Sequence, residues 1–323
     1  MHPIRPQPGS SLDPVNIVGR RDVTRRARRA LLDHNNICVN DPRRMGKTVW
    51  LDLFCSAPGE GLEAVKIDYE GVRTTKLFLT RTVEGLRAHR TLPGKAKAKL
   101  QALFENVELG AGPVTIKAGV STRTAIDLLD ETVRSVDAHL ADDVMHHVLR
   151  RCGATEGVIN DLVNLPLGPL QPDEAHELAQ RLLLGIDRHA NEPTVAVLVE
   201  TCGAIPFLIH ALAHHLEDAG TGPVEANDVT TAFGEFMDDR DDSRAVTHLV
   251  TRLDPLYGDD AAAAEAILDR VALDEATRVD DLDADGSLLD DLVDDHYLIE
   301  RDRVLRWRYD VLRKIWMHRR RLG

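Results

Sequence analysis

The sequence predicts an α/β fold: a partial parallel sheet bearing a phosphate-binding loop, then a run of helices, then a small unit of helices closed by a hairpin. Three observations carry this. The octapeptide Asp41-Pro42-Arg43-Arg44-Met45-Gly46-Lys47-Thr48 follows the apolar run Ile37-Cys38-Val39 and precedes Val49, Trp50, Leu51, Leu53 and Phe54, a strand–loop–helix order. Ala64 to Glu70 alternates like a second strand, giving strand, helix, strand. Tyr297 to Tyr309 reads as a hairpin behind a series of helical patterns, and helices closed by a hairpin make a winged helix.

The loop has the chemistry of a phosphate site. Backbone N–H groups at a helix start point at phosphate oxygens, Lys47 reaches the outer phosphates, and the Thr48 hydroxyl is placed to ligate magnesium. A nucleotide, ATP with Mg²⁺, is the expected ligand. The first glycine of G-x-x-x-x-G-K-[ST] is replaced by Asp41, and Asp tolerates a left-handed backbone better than most residues. The competing reading is a chance Gly-Lys-Thr in a loop; the flanking strand and helix oppose it.

Composition narrows the class. A chain of 323 residues with 43% hydrophobic content buries one large core or several smaller ones. Its formal net charge of −13 disfavours non-specific binding to DNA or anionic membrane. Cys38, Cys55, Cys152 and Cys202 form no C-x-x-C pair, so neither a zinc knuckle nor a disulfide framework is expected. Met1 to Pro6 lacks the apolar region of a signal peptide, and the stretch from Val195 to Leu216 is broken by Glu200, Pro206 and histidines. A cytoplasmic protein with no membrane span is expected.

Residues up to about Asn16 are rich in proline, glycine and serine and read as an extended arm rather than part of the core. A helix runs from Asp22 to about Asp33 with Ala27, Ala30, Leu31 and Leu32 on its apolar face; Arg25, Arg26, Arg28 and Arg29 read as a solvated face, with an acidic partner as the alternative. Helices are expected over 76–104, broken at Pro93-Gly94, and 123–140, with a short strand at Val114 to Ala118. Leu162 to Leu170 looks like a strand exit, and Pro172-Asp173-Glu174-Ala175 opens helices to about Phe236. An acidic linker from Asp238 to Asp242 leads to helices near Arg244–Leu253, Ala261–Ala272 and from Ser287, then the hairpin.

The order Val18-Gly19-Arg20, Pro42 to Thr48, Leu165 to Leu170, Gly203-Ala204-Ile205-Pro206-Phe207 and a terminal winged helix resembles the archaeal-type ATPases of the STAND branch of AAA+-like P-loop proteins, over nearly the whole chain. The resemblance implies a P-loop NTPase core at 17–170 behind the arm 1–16, a helical lid at 171–237 and a winged-helix domain at 238–323. It places Gly19 and Arg20 near the adenine and makes Pro206 the lid proline that packs on the base. With Asp41, Pro42, Arg43, Arg44, Met45, Gly46, Lys47 and Thr48 they form the expected nucleotide site, with Thr48 on the metal.

Hydrolases of this family carry a Walker B strand ending in two carboxylates, which hold magnesium and orient water. None is found from Tyr69 to Leu170. Ala125 to Glu131 has helical spacing through Ile126, Leu129 and Val133; Lys66 to Glu70 matches the family's second strand; Val195 to Glu200 lies in the lid. The helix resembling the one before Walker B joins directly to His146 through Asp142-Asp143-Val144-Met145, as if the Walker B and sensor strands were deleted, which leaves an incomplete sheet. The alternative is a substitute carboxylate.

Two motifs are set aside. His210 and His214 have i, i+4 spacing, but Ala211 occupies the general-base position, so a packed pair is expected. Asp281 to Gly286 copies half of a calcium loop, yet its twelfth position is Leu292, so a capping turn is expected. The wing (Arg301, Arg303, Arg306, Arg308) and Arg313, Lys314, Arg319, Arg320 and Arg321 are basic, whereas the would-be recognition helix carries Asp290, Asp291, Asp294 and Asp295. Trp307 and Trp316 are expected in the core. The expected function is an ATP-binding switch with impaired hydrolysis and a protein partner. The alternative is a winged-helix nucleic-acid-binding regulator with a vestigial nucleotide site.

Overall fold

The computed structural model describes residues 1–8, 16–33, 35–42, 44–62, 64, 66–69, 81, 107–108, 115–116, 162–238, 253, 257–282 and 285–322. The helices expected over 76–104, 123–140 and 244–253 lie outside these, save Arg81 and Leu253, as do the linker beyond Asp238 and the carboxylate and deletion readings between 123 and 151.

Helix α1 (Arg21–Leu32) turns Val23 and Ala27 inward and leaves Arg25, Arg26 and Arg29 in solvent, as the 3.6-residue period demands. Strand β1 (Asn36–Cys38) leads through the loop to helix α2 (Lys47–Ser56). Arg28 crosses from α1 to the end of α2, where its Nε donates to Pro58 O at 2.7 Å and its Nη2 to Ala57 O. A cation there suits the negative end of the helix dipole.

Two two-residue strands, β2 (Val107–Glu108) and β3 (Thr115–Ile116), pair antiparallel, and β3 falls within the expected 114–118 strand. Strand β4 (Leu162–Asn164) pairs parallel with β1, setting Ile37 opposite Val163, and Leu165 N continues the ladder to Cys38 O at 2.8 Å. A parallel sheet is therefore present with a different partner from the one expected. Lys66–Tyr69 belongs to no strand, contrary to expectation; Lys66 pairs with Asp52 of α2 at 2.5 Å.

The predicted helical run is α3 (Pro172–Gly185), α4 (Glu192–Thr201), α5 (Pro206–Asp218) and α6 (Ala226–Asp238), with β5 (Arg188–His189) and β6 (Gly222–Pro223) paired between them. Val195 to Glu200 lies inside α4. Proline opens α5 at its first position, where no N–H is needed. Asn191 caps α4 by accepting Thr194 N–H at 2.9 Å.

The last unit contains α7 (Ala261–Asp274), β7 (Thr277–Arg278), α8 (Gly286–Asp294), β8 (Leu298–Arg301), β9 (Val304–Trp307) and α9 (Asp310–Arg320). Its strands form an antiparallel sheet in the order β7-β9-β8. Asp285 caps α8 by accepting Ser287 N–H at 3.0 Å, the capping turn expected there. Trp307 and Trp316 are buried with ring centroids 5.4 Å apart. Strand β7 and helix α9 were not anticipated, although Val311, Leu312, Ile315 and Trp316 are spaced for a buried helix face.

The described residues form three apolar clusters. The largest unites α3 to α6 with Met45 of the loop, Val18, and Val311 and Ile315 of α9. It also contains Ile4, 2% exposed, which corrects the expectation that the arm lies outside the core. A bare apolar residue between prolines leaves water when a groove is within reach. A second cluster fills the last unit, and a third joins α1, α2, Leu165 and Leu167.

Candidate functional site

The loop from β1 to α2 ends at Gly46, whose φ of 84° is left-handed, and among the described residues no atom beyond its chain neighbours lies within 4 Å of where a Cβ would stand. The N-cap residue of α2 is Gly46, which has no side chain to cap the helix, and its first turn carries no acidic residue. The first N–H groups of the helix and its positive dipole end therefore point toward the space above Gly46. Thr48 is exposed on that turn. Lys47 folds back so that Nζ donates to Asp41 O at 2.5 Å.

Asp41 does not play the part expected of it. Left-handed φ in the loop belongs to Arg44 (72°) and Gly46, not to Asp41. Asp41 is fully buried, and its carboxylate accepts the successive N–H groups of Leu167 at 2.5 Å and Gly168 at 3.2 Å. It therefore ties the loop to the segment leaving β4 and satisfies two amides that burial would otherwise orphan. Its side chain, rather than its backbone freedom, explains the lost glycine.

Arg20 holds the same segment from the other side. Its Nη1 donates to Leu167 O at 2.5 Å and Pro169 O at 3.3 Å, and its Nη2 to Met45 O at 2.7 Å. Burial lowers the guanidinium to about 10, against the raising effect of Glu174, Asp41 and Tyr309, so it stays charged at neutral pH. Gly19 precedes it with φ of 79°, and a Cβ there would lie 2.7 Å from the Glu174 side chain. Glu174 caps two helices, accepting Gln171 N–H at 3.4 Å in α3 and Arg21 N–H at 3.3 Å in α1.

The helical unit and the last unit both reach the loop. The Arg44 guanidinium stands 4.7 Å from the centroid of Phe207, the residue after Pro206, and Met45 is fully buried in the cluster of α3 to α6. His296, at the turn before β8, bonds through Nε2 to Asn40 O at 2.6 Å. A Cβ on Gly168 would lie 4.0 Å from Tyr309 Oη.

Of the residues chosen from sequence, Asp41, Pro42, Arg44, Met45, Gly46, Lys47 and Thr48 form the loop and Arg20 bonds to it at Met45 O; Gly19 lies against Glu174, Pro206 precedes the Phe207 that meets Arg44, and Arg43 lies outside the described residues. Sequence reasoning missed Glu174, Phe207, His296 and Tyr309. Gln171-x-x-Glu174 before an apolar run was a legible capping signal; nothing local marked His296 as a neighbour of Asn40, 256 positions away.

No family model matches the sequence, and no curated protein does. Among solved structures, a Walker-type ATPase of Pyrococcus abyssi is similar in fold, with a TM-score of 0.59 over 96% of this chain and 98% of that one, at 16% identity. The chain has a P-loop ATPase-like α/β fold.

Proposed function

We propose that the chain binds ATP with Mg²⁺ at Gly46-Lys47-Thr48 and acts as a STAND-type switch. The observation that carries this reading is the start of α2 behind left-handed Gly46, where a glycine N-cap leaves room above the first turn, on a fold shared with a Walker-type ATPase. The residues fit the ligand: N–H groups of the first turn for the phosphates, Lys47 for their charge, and the exposed Thr48 hydroxyl for magnesium. Arg20 and Asp41 brace the loop from behind, with Asp41 bound to backbone amides rather than held ready for a metal.

The switch reading is supported by what meets at the loop. Arg44 lies on Phe207 at the start of a helical lid, and Asn40 bonds to His296 of a unit whose elements follow a winged-helix order. A nucleotide at that junction contributes interactions that depend on how the units sit, so it biases their arrangement. Hydrolysis is impaired, in this account, because the sequence from Tyr69 to Leu170 carries no apolar strand ending in the two carboxylates that would hold magnesium and orient water.

The winged-helix unit is proposed to contact protein rather than DNA. Asp290 is exposed on α8, while Arg303 pairs with Asp280 at 2.5 Å, Lys314 with Asp310 at 2.8 Å, and Arg320 with Glu265 and Asp269 at 2.9 and 2.8 Å. Those cations are committed within the chain, and the acidic helix repels phosphate. A cytoplasmic location is retained as part of this proposal; among the described residues no helix is long and apolar enough to cross a membrane.

Titration with a fluorescent ATP analogue at several magnesium concentrations tests the proposal. Saturable binding that strengthens with magnesium is expected. No binding at millimolar analogue would favour the vestigial-site alternative.

A further inference from the structure

The arm 1–8 runs across α3 and α5 in a groove that contacts both its backbone and its side chains. Ile4 N–H donates to Arg181 O at 2.9 Å, and Arg181 Nε donates to His2 O at 2.9 Å, so one residue of α3 reads two arm positions. Ile4 is 2% exposed among the apolar residues of α3 to α6. Its carbonyl sits against Gly185, where a Cβ would stand 1.9 Å from Ile4 O. On α5, Glu217 pairs with Arg5 at 2.5 Å, and His210 Nδ1 accepts Gln7 N–H at 3.3 Å.

The arm suits such a groove. Pro3, Pro6 and Pro8 restrict its unbound conformations, so ordering it costs less than ordering an ordinary segment. Its contacts also span two helices. The start of α3 carries Glu174, packed on Gly19, and the start of α5 carries Phe207, packed on Arg44. The arm joins the same helices farther along, at Gly185 and Glu217.

We infer that the α3/α5 groove is a peptide-binding site for an extended, proline-bracketed segment with an apolar residue followed by a basic one, and that its occupant is this chain's own arm, docked as a detachable strap. Gly185 admits the peptide carbonyl, Arg181 and His210 read the backbone, the apolar core takes Ile4, and Glu217 takes Arg5. None of this depends on nucleotide binding.

Hydrogen exchange of the Ile4 and Gln7 amides in the full chain tests the inference. Both should exchange roughly tenfold or more slowly than in a free peptide of residues 1–8, independently of protein concentration. Gly185→Ala should abolish that protection while leaving the helical unit intact, since alanine favours the helix. Ile4→Asp should do the same from the arm's side, which covers failure of the first variant to fold. Excess free peptide should displace the arm and speed its exchange, whereas the same peptide carrying Ile4→Asp should not. Unprotected amides in the wild type, protection unchanged in both variants, or no competition by the peptide would overturn the inference. Protection that grows with protein concentration would overturn the same-chain occupant in favour of a second copy.

Discussion

The carboxylate of Asp41 accepts the backbone N–H of Leu167 at 2.5 Å, joining residues 126 positions apart, while Arg20 donates to the carbonyl of the same leucine. Both polar groups of Leu167 are thus held by buried charged side chains. The segment leaving β4 is fixed against the phosphate loop although the described parallel sheet is only two strands wide.

Asp41→Ala should destabilise the protein by about 3 kcal/mol in chemical denaturation, because two amides lose their acceptor and Arg20 loses a nearby counter-charge. Asp41→Gly, which restores the usual first glycine of the motif, should cost at least as much. Unchanged stability in Asp41→Gly would return the residue to the role of a tolerant backbone position.

His210 gives a pH dependence with a defined sign. It is neutral where it accepts Gln7 N–H, and burial lowers its pKa from 6.5 to about 4. Between those values the unfolded chain takes up a proton that the folded chain does not. Stability should therefore fall as pH falls through that window, by a total on the order of 3 kcal/mol, and this contribution should level off below about pH 4. His210→Gln keeps an acceptor without titrating and should flatten this part of the stability curve; matching curves would contradict the assignment.

Much of the site was legible in the sequence because its signals are local. Gly46-Lys47-Thr48 between an apolar strand and an apolar helix, Pro172 and Pro206 at helix starts, and Asp285 before Ser287 each act within one turn of backbone. What was misread depends on distant contacts. The role of Asp41 needs Leu167, and the burial of Ile4 needs Gly185. No periodicity encodes a partner more than a hundred residues away.

ATP turnover should stay near background even where binding is measurable. Asp68→Asn, Glu70→Gln and Glu131→Gln should each leave it unchanged. Phosphate release well above a Lys47→Ala control, lost in one of the three variants, would reveal a substitute carboxylate.

Duplex DNA should be bound weakly or not at all at physiological salt, since Asp290 faces outward and several basic residues are already paired. A sequence-specific gel shift at nanomolar protein would contradict the protein-binding assignment of the last unit.

The central claim is that the loop at the start of α2 holds nucleotide phosphates, and calorimetric titration of wild-type and Lys47→Ala protein with a non-hydrolysable ATP analogue and magnesium tests it most directly. Lys47 Nζ rests on a loop carbonyl and is not core, so the variant should keep the wild-type melting temperature within about 2 °C. The account predicts a clear binding isotherm for the wild type and none for Lys47→Ala. Equal affinity in a folded Lys47→Ala variant would contradict it.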